Sequence, residues 1–186
     1  MYILAFHVDY WNRMGWKDAF SDARYTQRQQ QYQSWLNLQS VYTPQIVVNG
    51  SKEFVGSQES TLRSAIHSGL GQMPAAQLSI SDVRLDQGKV SWHYLVQNAV
   101  AKSSLIVALV QRSATTDVKA GENTGQTLSH VQIVRNFSNT DIGAGATGTG
   151  SLPVQQGLPA GDQELIAFVQ NGDTGQIVAA TRASLP

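Results

Sequence analysis

His7 and Asp9 stand two residues apart in the stretch Tyr2-Ile3-Leu4-Ala5-Phe6-His7-Val8-Asp9. On an extended strand that spacing sends both side chains to one face. An imidazole beside a carboxylate can take up or deliver a proton, the carboxylate raising the basicity of the ring. The pair also has a reading without chemistry, in which the histidine bonds to a neighbouring backbone group and the aspartate fixes the Trp11 loop. A second set is Asp117, Glu122 and His130. Two carboxylates and an imidazole are metal-ligand types, but Glu122-Asn123 reads as a turn in which Asn123 bonds its own backbone, and no metal is expected there. His67 and His93 are isolated and read as surface residues of a helix and a strand. A hydrolase or metalloenzyme would have to be built on His7, Asp9 and His130.

The chain holds no cysteine. That excludes disulfides, thiolate metal ligands and a cysteine nucleophile, so no redox chemistry runs on its own side chains. It also lacks a Gly-x-Ser-x-Gly elbow, a His-Glu-x-x-His helix and a phosphate-binding glycine loop, and no cofactor is expected. Thirteen basic residues balance thirteen acidic ones, so no long-range field draws nucleic acid or an acidic membrane surface. The longest apolar stretches, Ile3 to Val8 and Leu105 to Val110, are six residues each, where a helical bilayer span needs roughly 20. Only 14% of residues are charged while Gln, Ser, Thr and Gly abound, a balance often met in exported proteins.

The elements that must position these residues centre on Val41 to Gly56. Pro44 cannot donate to a ladder and belongs at a strand's first position, and Thr43 before it is pushed to an extended conformation. Gln45 to Val48, a turn at Asn49-Gly50-Ser51 and Phe54-Val55 form a hairpin. A helix is expected from Ser57 to Gly69, and Met73 to Ala76 reads as a linker, giving domains at 1–73 and 77–186. Upstream, Tyr2 to Val8 reads as a strand buried on two sides. The aromatic loop after it, with Tyr10, Trp11 and Trp16, lies at a strand's carboxyl end, where ligands gather in open α/β sheets. The same three rings also read as a packed cap over the sheet edge. A helix from about Ala23 to Leu38 turns Tyr25, Tyr32, Trp35 and Leu36 to one face, and Gln27 with Gln29 to Gln31 reads as solvated surface.

After the linker the period changes from 3.6 to 2. Strands are expected at Gln77–Leu85, Val90–Val96, Leu105–Val110, Leu128–Phe137, Leu165–Val169 and Ile177–Thr181, an antiparallel β-sandwich. Between Ser138 and Gln163, Gly, Thr, Pro and Ala dominate; only Ser151 to Val154 reads as able to pair, and the segment as a mobile loop.

Strand, loop, helix, a strand opening at Thr43-Pro44, turn, strand and helix resemble the second half of a thioredoxin-like domain. More specifically, Ala5 to Trp11, Gly15-Trp16-Lys17-Asp18, Tyr42-Thr43-Pro44-Gln45, Val48-Asn49-Gly50 and Gly121 to Gly125 with Leu128, His130, Val134 and Arg135 resemble the secreted bacterial domain-of-unknown-function family DUF1223. The resemblance covers nearly the whole chain. It implies an α+β architecture, a truncated thioredoxin-like α/β domain followed by the β-sandwich, and a cis bond at Thr43-Pro44. It implies a secreted or periplasmic location.

Typical members open with a signal peptide, a strand and a Cys-x-x-Cys segment, and none of these precedes Met1. The absent strand would lie between Tyr2–Val8 and Gln45–Asn49, leaving a gap of about 9.5 Å with unpaired backbone on both sides. The flanking strands closing up, a strand from the second domain or an element from a partner would fill it, with direct pairing or a partner favoured. Unprotected strand edges recruit other strands, so a homo-oligomer through that edge is expected. The functional expectation is a non-catalytic peptide- or protein-binding module using Thr43, Pro44, His7, Asp9, Trp11 and Trp16. The alternative is a thiol-disulfide oxidoreductase whose cysteines lie upstream of Met1.

Overall fold

The computed structural model describes residues 1–120 and 124–186. Among the described residues there are two α-helices and nine strands, and the strands fall into three sheets. Strands β1 (Gln45–Val48) and β2 (Lys52–Val55) form a two-stranded sheet. Strands β3 (Gln77–Asp86), β4 (Lys89–Gln97) and β7 (Ala146–Pro153) form a second, in the order β3-β4-β7. Strands β5 (Ser103–Asp117), β6 (Thr127–Gly143), β8 (Gln163–Asn171) and β9 (Ile177–Ser184) form the third, in the order β6-β5-β8-β9.

The three- and four-stranded sheets face each other across one core. Val90, Trp92 and Val96 of β4 and Leu152 of β7 meet Leu105, Val107 and Leu109 of β5 and Leu165, Ala167 and Val169 of β8. The intervening residues point the other way. Ala108, Val110, Ile166 and Val134 pack with Tyr25 of helix α1 (Ala23–Trp35) and with Leu4 and Phe6 of the N-terminal segment. Strands β5 and β8 are therefore covered on both faces, which is why Leu105–Val110 and Leu165–Val169 read as unbroken apolar runs.

Helix α1 opens at Asp22, whose carboxylate accepts from the Arg24 backbone N–H at 2.8 Å. Helix α2 (Glu59–Leu70) packs on the β1–β2 hairpin and buries Ala65, while β2 buries Phe54. The hairpin is fastened to the β8–β9 turn. Ile177 N–H donates to the Asn49 carbonyl at 2.9 Å, and Gly50, buried at φ +69°, lies so close that a side chain there would overlap the Gly175 carbonyl.

Three expectations are overturned. The thioredoxin-like α/β layout is absent: the chain is mostly β, 46% strand against 18% helix, in three separate small sheets. Tyr2–Val8 is no central strand. It makes one parallel bridge, Ala5 to Ile133, and Tyr2 and Ile3 are 41% and 53% exposed. Among the described residues it does not pair with β1, whose one neighbour is β2. The physical reason is that helix α1 and the N-terminal segment find their apolar partner in the outer face of the four-stranded sheet. No sheet then forms between them and the hairpin.

The third correction concerns Ser138–Gln163. Strand β6 continues to Gly143 and β7 pairs with the whole of β4. Gly150 and Gly148 stand opposite Trp92 and Tyr94, and a Cβ would lie 2.5 Å from the Trp92 ring at the first and 2.7 Å from the Tyr94 hydroxyl at the second. The glycines give these rings room to lie across the strand, so a turn-like composition here belongs to a sheet. The expected turn at Glu122-Asn123 lies outside the described residues.

Candidate functional site

Asp9 ends the N-terminal segment and leads into a 3-10 turn, Tyr10–Met14, which Gly15 closes at φ 97°. The aspartate does not meet His7. Its carboxylate accepts from the Thr26 hydroxyl at 2.6 Å, and its backbone N–H donates to the same oxygen at 3.2 Å, so it anchors the turn to α1. The turn carries Trp11 outward, 51% exposed, where the indole N–H donates to the Thr43 hydroxyl at 2.9 Å. Thr43 and Pro44 are exposed, and the bond between them is cis. Trp16 is half-buried in the loop that follows.

Gln29 of α1 binds this region together. Its carbonyl accepts from the Tyr10 hydroxyl at 3.1 Å, and its amide donates to the Tyr42 carbonyl at 2.8 Å and to the Gln45 side chain at 3.1 Å. The sequence places it among the glutamines of a solvated face, and the structure turns it inward. Its i−4 neighbour Tyr25, a core residue, was the available signal that this face turns inward. Tyr42 donates to the Glu53 carboxylate across the hairpin. Burial, then that hydrogen bond and the carboxylate's charge, push the Tyr42 phenol up to about 12.

Beside this cluster lies an open strand edge. Gly56 N–H donates to the Pro44 carbonyl at 2.8 Å, which marks Pro44 and Gly56 as a hydrogen-bonded pair. By antiparallel alternation, Ile46 and Val48 point their backbone groups at β2. Gln45 and Val47 point theirs the other way, where no strand lies among the described residues. Ile46, Val47 and Val48 are half-buried.

His7 lies elsewhere, with Asp18 and His130. Its Nδ1 donates to the Asp18 carboxylate at 2.6 Å, and its ring centre stands 5.3 Å from that of His130. Phe20 packs edge-on against both imidazoles, at 5.4 Å and 5.1 Å, with the Arg135 guanidinium over its ring at 4.8 Å. Burial alone would raise the Asp18 carboxyl. The His7 hydrogen bond, the Phe20 N–H and the two imidazoles outweigh it and hold the carboxyl below its usual value. Burial, then the charge of His7, lowers His130.

The sequence-derived residues thus split into two groups. Trp11, Thr43 and Pro44 come together, and His7 joins Asp18 and His130 rather than Asp9. Asp117 accepts from the Thr127 hydroxyl at 2.7 Å, its partner across the β5–β6 ladder. Asp18 was visible only as part of a Gly-Trp-Lys-Asp string, and nothing in its spacing from His7 announced the ion pair.

The chain is similar over 98% of its length to a crystallised Agrobacterium tumefaciens protein solved as a structural-genomics target, with 26% identity, 79% of that chain covered and a TM-score of 0.69. A domain of the outer membrane lipoprotein Omp28 from Porphyromonas gingivalis is a more distant likeness, at 13% identity and a TM-score of 0.37, covering 61% of this chain and 90% of that one. No curated protein matches the chain. The profile of a family described as "Protein of unknown function (DUF1223)" matches residues 1–170. The chain carrying this open edge and this imidazole pair belongs to the DUF1223 family.

Proposed function

We propose that the chain is a non-catalytic binding module of an exported protein, which takes an extended segment of a partner protein onto the open edge of β1. The observation that carries this reading is the outward set of β1. Gln45 and Val47 offer backbone donors and acceptors to an edge without a strand neighbour among the described residues, and an added strand is the ligand such a row accepts. Trp11, held by Thr43 at the strand's start, supplies exposed aromatic area beside it. The half-covered Ile46, Val47 and Val48 favour a segment with β-branched or aromatic side chains at alternate positions. Without cysteine the chain brings no thiol chemistry to the bound segment.

A phage-displayed heptapeptide library selected against the immobilised chain tests this. Val47→Pro removes an outward N–H at an edge position that tolerates proline, so the fold is kept and docking is blocked. Recovered peptides are expected to lose binding by at least about tenfold on V47P. Binding that is indifferent to V47P overturns the reading. A dimer of the free chain that V47P dissolves assigns the edge to a second copy.

A further inference from the structure

We propose that His7 and His130 form a zinc-binding site, with Asp18 as the residue that orients His7. The inference rests on two independent observations. First, the Asp18 carboxylate at 2.6 Å can only accept, so in the neutral His7 ring the proton sits on Nδ1 and Nε2 presents a lone pair. A carboxylate behind the non-ligating nitrogen is the usual support of a metal-bound histidine. Second, Nε2 of His130 is buried and has no hydrogen-bond partner among the described residues. A buried ring nitrogen ordinarily has one, and a metal ion satisfies it.

The ring separation agrees. A zinc ion about 2.0–2.1 Å from each nitrogen, each nitrogen about 1.2 Å from its ring centre, places two tetrahedrally disposed ring centres about 5.2–5.4 Å apart. The observed separation is 5.3 Å, with the rings tilted by 59°. Among the described residues no three His, Cys, Asp or Glu side chains are grouped to hold a metal. The protein therefore supplies two ligands and leaves the other positions to water or to an incoming oxygen or nitrogen ligand. The Arg135 guanidinium over Phe20 opposes a cation and the Asp18 charge favours it. The ligand class is a borderline divalent ion that prefers imidazole, rather than calcium or magnesium, which take oxygen sets.

Isothermal titration of the untagged, metal-free chain with zinc chloride tests the site, with far-UV circular dichroism confirming that each variant is folded. One zinc per chain is expected. His7→Gln and His130→Gln should each abolish that stoichiometric binding, and Asp18→Asn should weaken it about 10- to 100-fold. The chain has four histidines, so the His67→Gln, His93→Gln double variant is the control and should bind as the parent does. A variant that fails to fold is replaced by cadmium-113 NMR on the unaltered chain, where nitrogen ligation is expected. An unchanged titration in H7Q and H130Q, loss of binding in the His67/His93 control, absence of binding by the parent, or an all-oxygen cadmium signal overturns the proposal.

Discussion

The Tyr25 hydroxyl donates to the Val134 carbonyl at 2.9 Å inside the protein, while the N–H of the same Val134 donates to the Ala5 carbonyl at 3.0 Å. One residue of β6 thus ties helix α1 and the N-terminal segment to the four-stranded sheet. This junction decides the architecture: residues 1–35 become a cover for the outer face of that sheet, and β1 is left with a free edge.

Tyr25→Phe keeps the ring and leaves the Val134 carbonyl buried without that donor. A loss of about 1–3 kcal/mol is expected in urea unfolding near neutral pH. Burial, with the charge of Asp22 adding to it, raises the Tyr25 phenol to about 12, against about 10 in an unfolded chain. Because the folded value is the higher one, stability tied to the neutral phenol is complete below about pH 10 and is lost as the pH climbs to about 12. Tyr42 titrates high as well. The parent should therefore lose stability steeply over that window, and Y25F should lose less.

Gly150→Ala places a methyl carbon 2.5 Å from the Trp92 ring, which is 1% exposed and has no space to retreat. A destabilisation of about 1–3 kcal/mol is expected. Thermal unfolding of G150A and of Gly161→Ala, where a Cβ meets nothing within 4 Å, separates this effect from the general cost of replacing a glycine.

The same glycines explain what the sequence concealed. Alternation of Leu78, Ile80 and Val83, and the apolar runs 105–110 and 165–169, were legible because each strand carries its own burial pattern. Strand β7 alternates in burial too, but as exposed Thr and half-buried Gly it shows no apolar alternation in its sequence: Thr147-Gly148-Thr149-Gly150 pairs with β4, where Trp92 and Tyr94 stand opposite Gly150 and Gly148. The N-terminal error has the opposite origin. Tyr2–Val8 is apolar enough for a central strand, but Leu4 and Phe6 pack against the cluster of Tyr25 while Tyr2 and Ile3 are exposed, and the segment makes a single bridge to Ile133. At the site, the Trp11 loop and Thr43-Pro44 were legible as candidates. The His7–Asp18 pairing was not, since it depends on how the Gly15 turn folds the chain back.

Gly50→Ala meets the Gly175 carbonyl at a φ of +69°, a region that L side chains avoid. The hairpin would be pushed off the β8–β9 turn, breaking the Ile177–Asn49 hydrogen bond. Stability should fall by about 2–3 kcal/mol, and hydrogen exchange at the Ile177 amide should quicken more than exchange at Val107.

Trp11→Phe keeps an aromatic ring and removes the donor to Thr43. The ring is half exposed, so stability should change by less than about 1 kcal/mol. Peptides selected on the parent should bind W11F and Thr43→Val more weakly, and the double variant no more weakly than either alone, because both lose one hydrogen bond. Surface plasmon resonance with one selected peptide reads all three.

Amide hydrogen exchange resolved at residues 45 to 48 tests the open edge most directly. In the free, monomeric chain Ile46 and Val48 should be protected by β2 while Gln45 and Val47 exchange fast, and a selected peptide should slow Gln45 and Val47 alone. Slow exchange at Gln45 and Val47 in the free monomer, or no slowing when the peptide binds, would contradict the account.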